Sequence, residues 1–189
     1  MLPISLLLTD DVVSLRPLRM EDGFPMYEAV RESLENLKPW MSWAHDNYQY
    51  KEAQNWITVA SARWTDGSYF GFAITDALQG TFLGGCSLGY IHPIFHFCNL
   101  GYWIRTTQRG HDFAGRATRL AARFAFERLR LLRVEIVIAT GNEASQKVAE
   151  KIGAHREGVL QNRLVIGADV RDAVMYSLLP SDFGLAARL

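Results

Sequence analysis

The chain has 189 residues, 49% of them hydrophobic and 21% charged, and its formal net charge is zero. This composition is ordinary for a globular protein, and the length suits a single domain spanning residues 1–189. The neutral charge gives no argument for nucleic acid as a partner. No apolar run approaches the ~18–20 residues of a membrane-spanning helix, and residues 1–9 lack the features of a signal peptide, so no membrane partner is expected.

Cys86 and Cys98 are the two cysteines, and both fall in strand-like runs. Two cysteines do not make the disulfide framework typical of small secreted proteins. We therefore expect reduced core residues and a cytoplasmic protein. No metal site is predicted.

The first predicted elements are a strand, a helix and a loop. The strand covers Val12–Leu18, where Pro17 favours a position at the edge of a sheet. Asp22 is the predicted N-cap of a helix that reaches about Asn36. Proline and two tryptophans predict a loop over Leu37–Trp43.

A second helix is predicted over Tyr50–Trp64, with an apolar stripe at Ala53, Trp56, Ile57 and Ala60. From Tyr69 the hydrophobic period changes to two. Strands are predicted at Tyr69–Ile74, Thr81–Tyr90 and Phe97–Thr106. Hairpin connections make these strands antiparallel, and Gly84-Gly85 predicts a bulge or a close neighbour.

The connection after Thr106 is of a different kind. A helix from Gly115 to about Arg130 precedes a strand at Val134–Thr140. Apolar residues of this helix share one face: Ala117, Leu120, Ala121, Phe124, Ala125 and Leu129. A strand–helix–strand crossover makes the two flanking strands parallel.

The C-terminal part is predicted to contain a helix at Glu143–Ile152, with Gly153 as its C-cap. A hairpin of Arg156–Ile166 and Val170–Leu179 follows. The tail, Pro180–Leu189, is predicted to be peripheral. The whole pattern predicts a mixed sheet with an antiparallel N-terminal part, one parallel strand pair and an antiparallel C-terminal hairpin.

The loop Gln108–Ala114 contains glycine and opens the helix of the crossover. A loop of this kind presents free backbone N–H groups, and the helix dipole adds partial positive charge. This combination binds phosphate. The sequence therefore predicts a phosphate site between Gly110 and Thr118.

Several segments in this order carry a resemblance to a known family. They are Leu15–Asp22, Leu37–Trp43, Gly101–Ile104, Gly115–Thr118, Asn142–Ser145 and Lys151–Ala154. The chain resembles the GNAT fold of acetyl-CoA-dependent N-acetyltransferases, in particular the RimJ/RimL-type enzymes that modify α-amines of ribosomal proteins. The resemblance covers essentially the whole chain and implies an α+β fold with three α/β/α layers.

The resemblance also implies where acetyl-CoA is held. In the family two parallel strands splay apart and the pantetheine arm lies in the gap, which here falls between Gly101–Thr106 and Val134–Thr140. The pyrophosphate is then expected on backbone N–H groups of the loop. The implied cofactor-binding residues are Ile104, Arg105, Thr106, Arg109, Gly110, Phe113, Ala114, Gly115, Arg116, Ala117, Thr118 and Asn142.

The chain departs from the family pattern in this loop. The motif frame that ends at Ala117 places Asp112 where Arg or Gln is expected, and the loop after Trp103 is longer than usual. A carboxylate beside a pyrophosphate is repulsive unless its side chain points away.

Two residues after the second parallel strand are the expected catalytic residues. In RimL-like proteins a serine at the position of Ser145 is proposed to protonate the departing thiolate, and an asparagine at that of Asn142 to position cofactor or substrate. Other branches use a tyrosine about one turn later, near Ala149, which is absent here. The alternative is that Asn142 only caps the helix and Ser145 is an ordinary first-turn residue.

The acceptor side is less defined. Trp40 and Trp43 are expected in a substrate cleft or as a lid on the core. Asn99 stands where related enzymes place a glutamate base, so it is assigned to the cleft as a residue that cannot accept the proton. His92 and His96 are the nearby titratable groups, and a surface position is the alternative for both.

A site without a strong base favours an amine of low pKa. An α-amine has a pKa of ~7.7–8.0 and a lysine ~10.4, so a lysine costs about 3.4 kcal/mol more to deprotonate. The preferred function is thus acetylation of a protein or peptide α-amine. A small amine such as an antibiotic, polyamine or amino acid, and an acyl-CoA-binding module without catalysis, remain alternatives. The hairpin 91–97 is either a homodimer contact or a lip of the cleft.

Overall fold

The computed structural model describes residue 3 and residues 5–187. The strands are β1 (Leu8–Thr9), β2 (Val13–Pro17), β3 (Phe70–Asp76), β4 (Phe82–His92), β5 (Phe97–Ile104), β6 (Arg133–Ala139), β7 (His155–Ile166) and β8 (Asp169–Leu178). The helices are α1 (Gly23–Leu37), α2 (Tyr50–Asp66), α3 (Phe113–Glu127) and α4 (Glu143–Lys151). Short 3-10 turns lie at Met20–Asp22, Thr106–Gln108 and Pro180–Phe183.

The described strands form one mixed sheet in the order β1-β2-β3-β4-β5-β6-β8-β7. Every neighbouring pair is antiparallel except β5 and β6, which are joined by the α3 crossover and run parallel. This confirms the predicted topology, including the C-terminal hairpin. The register of β3 against β4 shifts beside Gly84, which confirms the predicted bulge.

Two hydrophobic clusters lie on the two faces of the sheet. One joins α3 and α4 to the sheet through residues such as Ala121, Phe124 and Ile136, and the other joins α1 and α2 through residues such as Val30 and Ile57. The three-layer arrangement follows from these apolar faces, because each helix buries its stripe against the sheet. Cys86 and Cys98 are buried and unpaired, as predicted.

The structure corrects two predictions about the N-terminal part. β2 is not an edge strand, because β1 pairs with it outside. Asp22 precedes α1 but makes no side-chain cap to it. Its carboxylate instead accepts two hydrogen bonds from the Arg16 guanidinium, at 2.7 and 2.6 Å, and one from the Arg19 N–H, at 2.8 Å. A buried carboxylate takes the partner that best satisfies its charge.

Two further predictions are wrong because tertiary packing decided the exposure. Trp56 is 38% exposed, and Trp64 takes its place in the buried stripe of α2. The C-terminal tail is not peripheral where it is described, because Phe183 is buried against Phe126 with ring centroids 5.3 Å apart. Residues 188–189 of the predicted tail, and residues 1, 2 and 4 of the predicted domain, lie outside the described residues. None of the helices in the described ranges combines the length and apolar character that crossing a membrane requires.

Removal of the Asp22 carboxylate tests the buried ion pair. Asp22 is 3% exposed, so Asp22→Ala leaves the Arg16 guanidinium without its charged partner. We expect the free energy of unfolding to fall by about 3 kcal/mol in urea denaturation. Glu21→Ala is the matched control, since the neighbouring Glu21 pairs with Arg19 at the exposed surface. Equal effects of the two substitutions contradict the assignment.

Candidate active site

Strands β5 and β6 separate part of the way along their length. They pair only over Phe97–Asn99 and Arg133–Glu135. Beyond this point β5 continues to pair with β4, and β6 pairs with β8. The facing backbone edges of 100–104 and 136–139 therefore have no strand partner, which leaves a gap that can pair with an extended ligand.

The cleft at this gap, here the gap cleft, has a volume of about 580 Å³. Its lining comes from four segments: 35–41, Tyr102–Ile104, 108–115 and 142–151. Trp40 closes one side, because a Cβ on Gly141 would lie 3.4 Å from Cη2 of its ring. Residues around the end of α1, at the end of β5 and after it, and after β6 thus meet around one space.

The N-terminus of α3 points its backbone donors at this cleft. Within the described residues, no acceptor is hydrogen-bonded to the backbone N–H groups of Gly110 through Gly115, and Arg116 N–H is the first to bond, to Asp112 O at 3.1 Å. Gly110 has φ +87°, a conformation that favours glycine. A run of free N–H groups at a helix N-terminus fits a diphosphate.

The carboxylate of Asp112, which lines the gap cleft, is paired with a lysine. This carboxylate lies 3.0 Å from Nζ of Lys151 on α4. It folds over Gly115, where a Cβ would lie 2.8 Å from its Oδ1. A side chain at position 115 would therefore displace the Asp112 carboxylate. Lys147 and Arg109 add further positive charge to the lining.

The predicted cofactor residues fall into two groups. Those that line the gap cleft are Ile104, Arg109, Gly110, Phe113, Ala114, Gly115 and Asn142. Arg105, Thr106, Arg116, Ala117 and Thr118 do not line it. Ala117 and Thr118 are buried, and the Thr118 hydroxyl donates to Ala114 O at 2.7 Å inside the helix. The guanidinium of Arg116 faces Asp10, at 2.9 Å, in a neighbouring space.

Helix α1 binds the loop after β5, which sequence reasoning missed. The Arg105 guanidinium and the hydroxyl of Thr107 donate to the Glu32 carboxylate. Asn36 accepts from Arg109 Nη1 at 3.0 Å and donates to Thr106 Oγ1 at 3.0 Å. The Arg105 hydrogen bonds, followed by those of Thr107, lower the pKa of Glu32 to about 2. The longer loop is thus held by α1, and Arg105 and Arg109, two of the three arginines predicted to meet the cofactor, make this contact.

Asn142 and Ser145 begin α4 at the edge of the gap cleft. Asn142 Oδ1 accepts a hydrogen bond from Ser145 N–H at 3.2 Å, so the capping role is present. Among the described residues the Ser145 hydroxyl has no hydrogen-bond partner, and it lines the cleft. Ala149, one turn later, is fully buried and carries no proton donor.

Tyr102 is a site residue that the sequence did not single out. Its hydroxyl donates to Ser145 O at 2.9 Å and so joins β5 to the first turn of α4 across the gap. Burial raises the pKa of its phenol above the usual range, which keeps it a neutral donor. The only sequence signal was its place two residues before the end of a buried strand.

A second space, here the aromatic cavity, lies between the sheet and α1, α2 and the loop that joins them. It has a volume of about 450 Å³ and shares Met41, Tyr102 and Trp103 with the gap cleft. The Trp43 ring lines it, 6.0 Å from that of Trp103, whereas Trp40 lines the gap cleft. The two predicted cleft tryptophans thus face two different spaces.

Asn99 and the two histidines lie outside both linings. Asn99 is on the same sheet face as Gly101, and its Oδ1 is buried with no partner among the described residues. His92 Nδ1 accepts from the N–H groups of Ile94 and Phe95 in the β4–β5 turn. His92 pairs with Phe97, about 17 Å along β5 from Tyr102 at ~3.3 Å per residue, so neither it nor His96 is placed to take a proton there.

The acetyltransferase (GNAT) domain family matches residues 13–155. The chain belongs to the GNAT acetyltransferase family. GNAT acetyltransferases use acetyl-CoA, and the free N–H groups of 110–115 at the open end of the strand gap fit its diphosphate.

Relatives of known name and structure extend over most of this GNAT chain. It is 28% identical to YdaF of Bacillus subtilis over 171 residues, 90% of this chain and 93% of that protein. It is 24% identical to the [ribosomal protein uS5]-alanine N-acetyltransferase of Escherichia coli over 178 residues, 93% of this chain and 92% of that enzyme. The structure of Mycobacterium smegmatis RimJ in complex with CoA-disulfide has a TM-score of 0.82 at 22% identity, covering 96% of this chain and 88% of RimJ.

The ion pair between Glu32 and Arg105 predicts that the stability of the protein depends on pH. Because the folded pKa of Glu32 is lowered to about 2, its contribution is complete above the unfolded value of ~4.3 and is lost as the pH falls through about 2. We expect Glu32→Gln to lower the free energy of unfolding at pH 7 by about 1–2 kcal/mol after solvent screening. The difference from the unsubstituted chain should shrink between about pH 4.5 and pH 2 in urea denaturation.

Glu127→Gln is the matched control for this measurement, because Glu127 makes an exposed ion pair with Arg123 on a different helix, α3. It should leave the stability nearly unchanged at every pH. If Glu32→Gln lowers the free energy of unfolding by the same amount from pH 7 to pH 2, the ion pair with Arg105 is not the cause.

Proposed function

We propose that this GNAT protein is an acetyl-CoA-dependent N-acetyltransferase that transfers an acetyl group to a primary amine, and that this amine is the N-terminal α-amine of a protein or peptide. The observation that carries the proposal is the meeting of the gap cleft and the aromatic cavity at Met41, Tyr102 and Trp103. One space fits the cofactor, the other receives the acceptor, and the two reactive groups meet where the spaces join.

Acetyl-CoA, when bound, supplies an acetyl thioester whose carbonyl is open to attack by an amine. The residues that would hold it are the N–H groups of 110–115 and the unpaired edges of β5 and β6. These donors favour negative charge, and Lys151 offsets the charge of Asp112 beside them. Binding and orientation are thus supplied largely by the backbone.

Ser145 is the proposed proton donor to the leaving sulfur. Its hydroxyl is free of protein partners in the described chain, and Asn142 and Tyr102 hold its backbone from two sides. Tyr102 is accordingly a positioning residue through its bond to Ser145 O. A donor held on a helix N-terminus needs no rearrangement to act.

No covalent intermediate on a thiol of the aromatic cavity is proposed. Cys86 lines this cavity, but burial raises the pKa of its thiol to about 12. A neutral buried thiol is a poor nucleophile. The acceptor amine is therefore proposed to attack directly, so that the C–N bond forms as the C–S bond breaks. The proton that the amine releases replaces, directly or through solvent, the proton that Ser145 gives to the sulfur.

The carboxylate that could serve as a base for the acceptor is a weak base, which favours an α-amine over a lysine as the acceptor. Glu52 is the one carboxylate among the described residues that line the aromatic cavity. A hydrogen bond from Gln49 N–H, and then the contact with His45, lower the pKa of Glu52. A low pKa makes a weak base, so the site suits an amine that is already partly neutral at pH 7. The E. coli relative, named for an alanine of uS5, supports the same acceptor class, because alanine has only an α-amine.

A small amine is the second candidate for the acceptor, favoured by the limited volume of the aromatic cavity.

A homodimer is proposed as well. Ile94 and Phe95 at the β4–β5 turn are 73% and 69% exposed, which suits a contact with a second copy. These residues line neither space, so the alternative that the hairpin forms a lip of the cleft has no support.

Ser145→Ala tests the proton donor. We expect kcat to fall about 100-fold with little change in coenzyme A affinity, because the hydroxyl contributes to the chemical step and not to binding. Turnover and calorimetric titration with coenzyme A measure the two effects. Ser61→Ala, on α2 and outside both linings, is the matched control. Full activity in Ser145→Ala removes Ser145 from the mechanism.

The acceptor class is tested with two peptides of matched sequence. One has a free N-terminus and no lysine; the other has a blocked N-terminus and one lysine. At pH 7 we expect the α-amine peptide to react at least about 10-fold faster, since its pKa lies ~2.5 below that of lysine. The lysine rate should rise steeply up to pH ~10, whereas the α-amine rate levels off near pH ~8. A lysine preference at pH 7 refutes the proposal.

A further inference from the structure

The aromatic cavity is built to hold an apolar group. Rings from four different segments stand around it, namely Trp43, Tyr48, Trp56, Tyr69 and Trp103. Trp56 packs edge-on to Tyr69 with centroids 5.5 Å apart, and Trp43 lies 6.2 Å from Tyr48. Trp43 and Trp56 keep 39% and 38% of their surface exposed although both line a concave space. Large exposed rings around a concavity are typical of a binding surface and not of a sealed core.

The sheet contributes three glycines to the floor of the cavity, Gly71, Gly85 and Gly101, from three adjacent strands. The rings of Tyr69 and Trp103 lie close over Gly71 and Gly85, where a Cβ would come within 2.9 and 2.7 Å of them. A Cβ at Gly101 would meet only Ser87 Oγ, at 3.6 Å, so this glycine is not required by packing. Its φ is not positive, so the backbone does not require glycine either. The absence of a side chain at 101 therefore serves the depth of the cavity.

The charge of the lining excludes strongly charged occupants. Among the described residues that line the cavity, Glu52 is the one charged side chain, and lysine and arginine are missing. The Glu52 carboxylate already accepts from Gln49 N–H at 2.8 Å and contacts His45 Nε2 at 2.9 Å. The lining offers no positive side chain to pair with an acidic group. It offers a polycation only one carboxylate, which already has hydrogen-bond partners. A neutral apolar group fits best.

The cavity opens where the amine must react. Trp103 and Met41 belong to both linings, so a group beside the reacting amine enters the aromatic cavity directly. In an N-terminal residue that group is the first side chain. We propose, on the basis of the acetyltransferase function above, that the residue whose α-amine is acetylated carries a large apolar side chain, aromatic or aliphatic. This side chain fills the aromatic cavity.

A series of peptides that differ only in the first residue tests this selectivity. Peptides that begin with Phe, Trp or Leu should show kcat/KM values about 30-fold above those that begin with Ala or Ser, given the usual gain from burying a large apolar side chain. Peptides that begin with Asp should react more slowly still. Equal rates, or a preference for Ala or Ser, overturn the inference while leaving the α-amine function intact.

Binding provides a readout that does not depend on turnover. Titration of the protein with phenylalaninamide should change its tryptophan fluorescence, because Trp43, Trp56 and Trp103 line the cavity, whereas alaninamide should not at the same concentration. If no peptide is acetylated but phenylalaninamide alone binds, the proposed function fails and the apolar site stands. If both amides bind alike, the inference fails whatever the activity.

Gly101→Ala and Gly101→Val fill the floor of the cavity in two steps. Both residues suit the strand conformation, and valine is favoured there. The ratio of kcat/KM for the Phe peptide over the Ala peptide should fall with each step, by about 10-fold or more for valine. Coenzyme A affinity, measured by calorimetry, reports whether the fold is kept. An unchanged ratio in the folded alanine variant contradicts the placement of the side chain.

Discussion

The separation of β5 from β6 is the constraint on which the rest of the structure depends. Backbone groups in a folded protein need hydrogen-bond partners, yet beyond Asn99 and Glu135 the facing edges of these two strands have none from the sheet. β8 completes the other edge of β6, and β4 completes that of β5. Tyr102, bonded to Ser145 O, fixes the first turn of α4 against the gap. The cleft is thus a consequence of strand pairing and not of a flexible loop.

Ion pairs and hydrogen bonds from both sides of the sheet set the shape of the loop that follows β5. On one side Glu32 and Asn36 of α1 hold Arg105, Thr107 and Arg109. On the other, Lys151 of α4 holds Asp112. These contacts leave the N–H groups of 110–115 free and directed to the cleft. Because the donors are ordered before a ligand arrives, an anion can bind there without reorganising the loop.

Local sequence patterns were sufficient for most of the fold. The hydrophobic period predicted strands β3, β4 and β5 and helix α3. The strand–helix–strand connection predicted that β5 and β6 are parallel. The N-cap at Asn142 followed from a short motif read within four residues. Exposure was harder to predict for Trp56, which lies at the margin of the α2 stripe, about 80° around the helix from Trp64, and is 38% exposed.

The sequence by itself determined the order of the elements, the sheet with one parallel pair and the free helix N-terminus, because each depends on hydrophobic period, glycine position or capping over a few residues. Only the tertiary structure decided the partners of the charged groups. Glu32 meets Arg105, and Asp10 meets Arg116, across 73 and 106 residues of chain. It also decided that two tryptophans three residues apart face different spaces. Such contacts depend on the distance between folded elements, which local spacing does not encode.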